Sequence, residues 1–134
     1  MKELTTEASI AKLDEVIDFI DSVLEEHDCP MKIMTQINVA AEEIFVNIAH
    51  YSGSEKATIT VSESGGMAEI TFTDNGRPYN PLEKPDPDIT LPAEERDIGG
   101  LGVFIVKKTM DSVNYDYRGG CNIFTMRKRI KTCS

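Results

Sequence analysis

Two periods run through the polar and apolar positions of this chain. Ile10, Leu13, Ile17, Ile20 and Leu24 recur at helical spacing with acids opposite, and Ser9 stands in front as a cap. This predicts a helix from Ser9 to about His27, where a cation suits the negative helix end. Val16, Phe19 and Val23 widen its apolar stripe, either to cover a core or to meet a partner. Asp28 is the expected N-cap of a second helix, with Pro30 in its first turn. That helix runs to about Tyr51 on a spine of Ile33, Ile37, Ala41, Ile44 and Ile48, and Gly53 stops it.

The period then changes to two. Lys56 to Glu63 places Ala57, Ile59 and Val61 on one face, Ser64-Gly65-Gly66 turns, and Met67 to Asp74 alternates again. Lys2 to Thr6 reads as a short edge strand. Val113, Tyr115 and Tyr117 share a face before the turn at Arg118-Gly119-Gly120. Asn122 to Ile130 is a last strand, whose basic end through Lys131 reads as a solvated edge. Between strands and final helix, Asn75 to Asp97 is irregular, acidic and holds five of the six prolines. Segments of that length in a small domain are lids, binding loops or disordered.

Three polar features do not fit a plain core. Glu43 and Asn47 stand one helical turn apart among Ile44, Phe45, Val46, Ile48 and Ala49. They satisfy each other or nearby backbone, or they are a carboxylate base beside an oxygen ligand for a hard cation such as Mg²⁺. Asp74 falls on the core-side face of its strand; it forms a turn with Asn75-Gly76, or it is an inward-facing acceptor. Ile98-Gly-Gly-Leu-Gly-Val103 leads glycines into an apolar helix. This is either a hinge or a helix end whose free N–H groups can hold an anion.

Composition narrows the classes. The 134 residues suit one domain over 1–134, and 40% hydrophobic residues supply a core. No apolar run approaches a membrane span and no signal-peptide core is present. The net charge of −9 repels phosphate backbones, which argues against a nucleic-acid partner. Cys29, Cys121 and Cys133 form neither a zinc pattern nor a disulfide framework, as expected of a cytoplasmic protein with free thiols.

Together the three features could hold a Mg²⁺ nucleotide. Asp74 accepts and so suits the exocyclic amine of adenine, whereas guanine presents an oxygen there. Gly76 lets a base lie against backbone, Asn47 offers a carbonyl oxygen to the metal, and N–H groups near Leu101, Gly102 and Val103 could meet phosphate oxygens. No P-loop is present, and Gly100-x-Gly102 lacks the third glycine and preceding strand of a dinucleotide fold.

In this order the motifs resemble those of the GHKL (Bergerat-fold) ATP-binding family of gyrase B subunits, heat-shock chaperones, histidine kinases and anti-sigma factor kinases. Glu43-x-x-x-Asn47 resembles its N-box, Asp74-Asn-Gly76 its G1 box and Gly100-Leu-Gly102 its G2 box. The resemblance implies an α+β fold, a two-layer α/β sandwich with helices on one face of a mixed, mainly antiparallel sheet. It implies ATP and Mg²⁺ as cofactors, Glu43 as general base, Asn47 as metal ligand and Asp74 as adenine reader. Pro78 stands where the family has a second G1 glycine, so the lid must begin differently. The chain lacks room for the second domain of gyrase-type ATPases, and neither His27 nor His50 sits like a phospho-acceptor. It looks most like the anti-sigma factor serine/threonine kinases. Those phosphorylate a STAS-type anti-anti-sigma partner and can sequester a sigma factor, often as homodimers. Arg96 is a candidate for γ-phosphate contact and Lys12 for partner contact. The competing reading is a non-catalytic ATP-dependent binding module or a simple ATPase of the same fold.

Overall fold

The computed structural model describes residues 1–83 and 98–131. Over these residues the chain forms β1 (Lys2–Glu7), α1 (Leu13–Glu26), α2 (Met31–Asn47), β2 (Lys56–Ser64), β3 (Met67–Asp74), α3 (Ile98–Thr109), β4 (Ser112–Arg118) and β5 (Cys121–Arg129). The strands make one five-stranded sheet in the order β1-β2-β3-β5-β4. Every described pairing is antiparallel, and the helices pack on one face, as the α+β expectation requires.

Burial follows the two periods. Ala57, Ile59, Val61, Ala68, Ile70 and Phe72 point from β2 and β3 into the core, met from β5 by Phe124 and Met126. Val16, Ile20, Val23 and Leu24 of α1 and Ile37, Ala41, Ile44 and Phe45 of α2 close over them. Each large side chain removed from water contributes about 1.5–3 kcal/mol. The wide stripe of α1 is therefore spent inside the molecule: Val16 and Val23 are core residues and Phe19 packs against the core half-buried. Ile10, read as part of that stripe, lies exposed in a 3₁₀ turn that Ser9 caps through Ala11 N–H at 3.3 Å.

Two helix ends differ from the sequence expectation. Asp28 does not open α2. It takes φ +56°, Cys29 N–H reaches Leu24 C=O and Asp28 N–H reaches Glu25 C=O, each at 3.1 Å. This is the left-handed closure of α1 in which glycine is usual. Pro30 then occupies the position before α2. At its other end α2 stops at Asn47, and Ile48–Ser52 continues as a π-helical turn before Gly53 at φ +74°.

Candidate functional site

Asn47, the last residue of α2, is 6% exposed. Its Nδ2 is buried without a hydrogen-bond partner. The two ends of an amide exchange by a half-turn, so this one unpartnered buried position can carry either the nitrogen or the carbonyl oxygen. The π turn after it is fastened to the end of β3. A Cβ on Gly76 would lie 2.1 Å from Ser52 O, so only glycine fits against this backbone. The space beside Gly76 is thus filled by Ser52. Arg77 N–H donates to Ser52 C=O and Arg77 Nε to Tyr51 C=O, both at 2.8 Å. The widened turn presents these carbonyls to the chain leaving β3.

Asp74 ends β3 on the core face, 4% exposed. Its Oδ1 accepts from Gly76 N–H at 2.9 Å and from Asn122 Nδ2 at 3.0 Å. Asn122 is its cross-strand partner in β5, itself 5% exposed. Nδ2 of Asn122 also donates to Arg77 C=O at 2.8 Å, while its Oδ1 accepts from Tyr79 N–H at 3.0 Å and from the Tyr115 hydroxyl. Burial, with the Asp74 carboxylate adding to it, raises the Tyr115 pKa above the ordinary phenol value, against a backbone hydrogen bond that lowers it. Asn122 was not singled out from the sequence. The signal was available: alternation with Phe124 and Met126 places it on the core face, the same oddity that marks Asp74.

Asn47, Asp74 and Asn122 meet in one pocket between α2 and the sheet, floored by Ile44, Ile48, Phe72 and Phe124 and closed by Tyr79, Pro81 and Tyr115. Glu43, half-buried one turn before Asn47, reaches the other way, to α3. A Cβ on Gly102 would fall 2.0 Å from the carboxyl carbon of Glu43. The carboxylate therefore lies against the bare backbone of Gly102. The glycine run is not a loop leading into the helix, because α3 already begins at Ile98. Intrahelical geometry turns the amides of Gly102 and Val103 back towards Ile98 and Gly99. The donors without intrahelical acceptors are those of Ile98, Gly99 and Gly100, one turn earlier than expected. Val103 is 2% exposed and serves the core. Lys12 stands at the foot of α1, and Arg96 lies outside the described residues. Among the described residues no three His, Cys, Asp or Glu side chains cluster to hold a metal, and no helix is long and apolar enough to cross a membrane.

The profile of the histidine kinase-like ATPase domain matches residues 6–128. The chain belongs to that family. Its fold is shared with solved structures of low identity. The RsbU and RsbW domains of Rv1364c from Mycobacterium tuberculosis match with TM-score 0.64 and 13% identity over 97% of this chain and 33% of that one. A chain of the SiaB–SiaC complex from Pseudomonas aeruginosa gives 0.60 and 12% over 96% and 89%. The histidine kinase domain of Erythrobacter litoralis EL346 gives 0.54 and 18% over 75% and 46%. The chain thus spans a third of the first of these and under half of the last. No match was found among curated proteins.

Arg77-Pro78, where the sequence departs from the G1 pattern it resembles, also sets the local hydrogen bonding. Arg77 spends its N–H and its Nε on the π turn, and Pro78 has no N–H to give. The next donor, Tyr79 N–H, goes to Asn122. The segment after β3 is in this way fastened at both sides of the pocket.

Proposed function

We propose that this domain binds Mg²⁺–ATP and transfers the γ-phosphoryl group to a serine or threonine hydroxyl of a protein partner. The observation that carries the reading is a buried carboxylate and an orphaned buried amide, Asp74 and Asn47, facing one pocket. Leaving such an amide unpaired costs about 1–3 kcal/mol, which a ligand in the pocket would recover. The residues fit an adenine nucleotide. Asp74 offers an acceptor to the exocyclic amine, and the apolar floor of Ile44, Ile48, Phe72 and Phe124 suits the ring faces. Asn47 would hold Mg²⁺ through its carbonyl oxygen, and the bound ion would neutralise phosphate charge. The amides of Ile98, Gly99 and Gly100 have no acceptor within α3 and give that helix a positive start suited to phosphate oxygens, while Glu43 lies against Gly102 of the same helix.

Glu43 accepts the proton of the attacking hydroxyl as that oxygen bonds to the γ-phosphorus and the bridging oxygen leaves with ADP. Its place against Gly102 sets the carboxylate beside α3 and one turn from Asn47. For the partner we propose a STAS-type anti-anti-sigma protein, with a sigma factor as a second ligand, a homodimeric state and a cytoplasmic location. The fold likeness to an RsbW domain and to a chain of a two-protein SiaB–SiaC complex supports that class of partner.

Calorimetry with ATP, ADP and GTP, followed by transfer of labelled phosphate to a small anti-anti-sigma-like protein from the same host, tests the reading. Wild type should prefer adenine nucleotides and require Mg²⁺, and Asp74→Asn should erase the preference. Glu43→Gln should keep nucleotide affinity within a few fold and lower transfer by roughly 10²–10⁴. Equal affinity for GTP refutes the adenine assignment. Tight ATP binding without transfer leaves the non-catalytic binding module.

A further inference from the structure

The pocket over Asp74 is nearly full. Its remaining cavity is about 20 Å³, room for roughly one water, and far less than a purine. Part of its lining comes from the segment after β3. Tyr79 and Pro81 line the cavity together with Asn47 and Asp74, and the Tyr79 hydroxyl oxygen is buried. The ring of Tyr79 stacks on Tyr51 at 5.1 Å with 20° between planes. Its backbone is latched by the N–H to Asn122 Oδ1, and the residues before it by Arg77 to Ser52, Tyr51 and Asn122.

We propose that Tyr79 is an internal occupant of the base pocket, an aromatic plug held by Asn122 and Tyr51 that must swing out before a purine can enter. The inference rests on the reading of the Asp74 pocket as the base site. It explains why Asn122 holds two groups of the covering segment while also holding Asp74: the same amide that positions the base-reading carboxylate latches the plug. Entry of a base and release of Tyr79 then exchange partners within one hydrogen-bond set. The closed form lowers apparent affinity by the fraction of molecules open at equilibrium.

Two measurements test it with ADP as the probe. Calorimetry on wild type and Tyr79→Ala should show ADP binding about tenfold tighter or more in the variant, corresponding to a pocket closed in about nine molecules of ten. Nitration of tyrosine in the wild type, mapped by mass spectrometry, should show Tyr79 protected without nucleotide and modified faster at saturating ADP. This second measurement stands even where Tyr79→Ala fails to fold. Equal or weaker ADP binding by a folded Tyr79→Ala, which would make the ring a holder of the base, overturns the plug. So does protection of Tyr79 that ADP binding leaves unchanged. Absence of adenine-nucleotide binding by both proteins removes the base-site reading itself, a result distinct from either.

Discussion

Gly102→Ala separates the proposed role of Glu43 as general base from the stability of the fold. The added Cβ would sit 2.0 Å from the Glu43 carboxyl carbon and 2.1 and 2.3 Å from its oxygens. Reaching ordinary contact at 3.4 Å moves the carboxylate by about 1.4 Å. The obstacle is the far end of a flexible side chain, so it yields by rotation at about 0.5–1.5 kcal/mol. Alanine in place of glycine inside α3 returns about 0.8–1 kcal/mol of helix propensity. The net change in stability should stay within about 1 kcal/mol by urea denaturation. Catalysis has no such compensation. A base displaced by about 1 Å loses roughly 10²-fold, and complete loss of its role approaches 10⁴. Single-turnover transfer of labelled phosphate, to the protein acceptor or to water, should fall accordingly while ADP affinity changes little. Undiminished transfer would show that the position of Glu43 against α3 has no part in the reaction. A stability loss of several kcal/mol would show that the glycine is demanded by backbone packing instead.

Gly76→Ala should behave in the opposite way. Its Cβ would meet Ser52 O at 2.1 Å and Ser52 C at 2.7 Å, which is backbone and cannot turn aside. A loss of about 1–3 kcal/mol is expected, read by chemical denaturation, and an unchanged midpoint would refute the packing account. Asp21 carries a pKa raised above 3.8, chiefly by burial and further by Glu25 and Asp18, against a hydrogen bond from Asn38 that lowers it. The native state therefore binds this proton more tightly than the unfolded chain, so stability falls as pH rises from about 3.8 through the raised value. Asp21→Asn should raise the urea midpoint near neutral pH and leave it unchanged well below that range; an equal shift at both pH values would remove ionisation as the cause.

Period carried most of the fold into the sequence. The faces of β2 and β3, the spine of α2 and the inward place of Asp74 all follow from alternation at two or 3.6 residues. What period could not show is which strand lies beside which. The importance of Asn122 depends on register, since only its pairing opposite Asp74 lets one amide hold that carboxylate and the segment after β3 together. The π turn after Asn47 depends on Gly76 and Arg77 docking from a distant segment, and nothing local to Ile48–Ser52 announces it. Asp28 misled because an Asp before a helix also tolerates the left-handed region after one. The plug at Tyr79 was hidden in a stretch legible only as irregular.

The position of β1 has a consequence for the order in which this chain can assemble. Lys2 pairs with Val61 and Glu7 with Lys56, while α1 and α2 lie between them in sequence. The helical hairpin closes over short distances. The outermost strand must wait for a chain of more than fifty residues to bring its partner back, measured from Glu3 to Thr60, and such pairings are slow. Until then the edge of β2 offers its backbone N–H and C=O groups to any passing strand. Shortening the N-terminus through Glu7 would make that interval permanent. The expected product is self-association through β2, with the folded core otherwise intact.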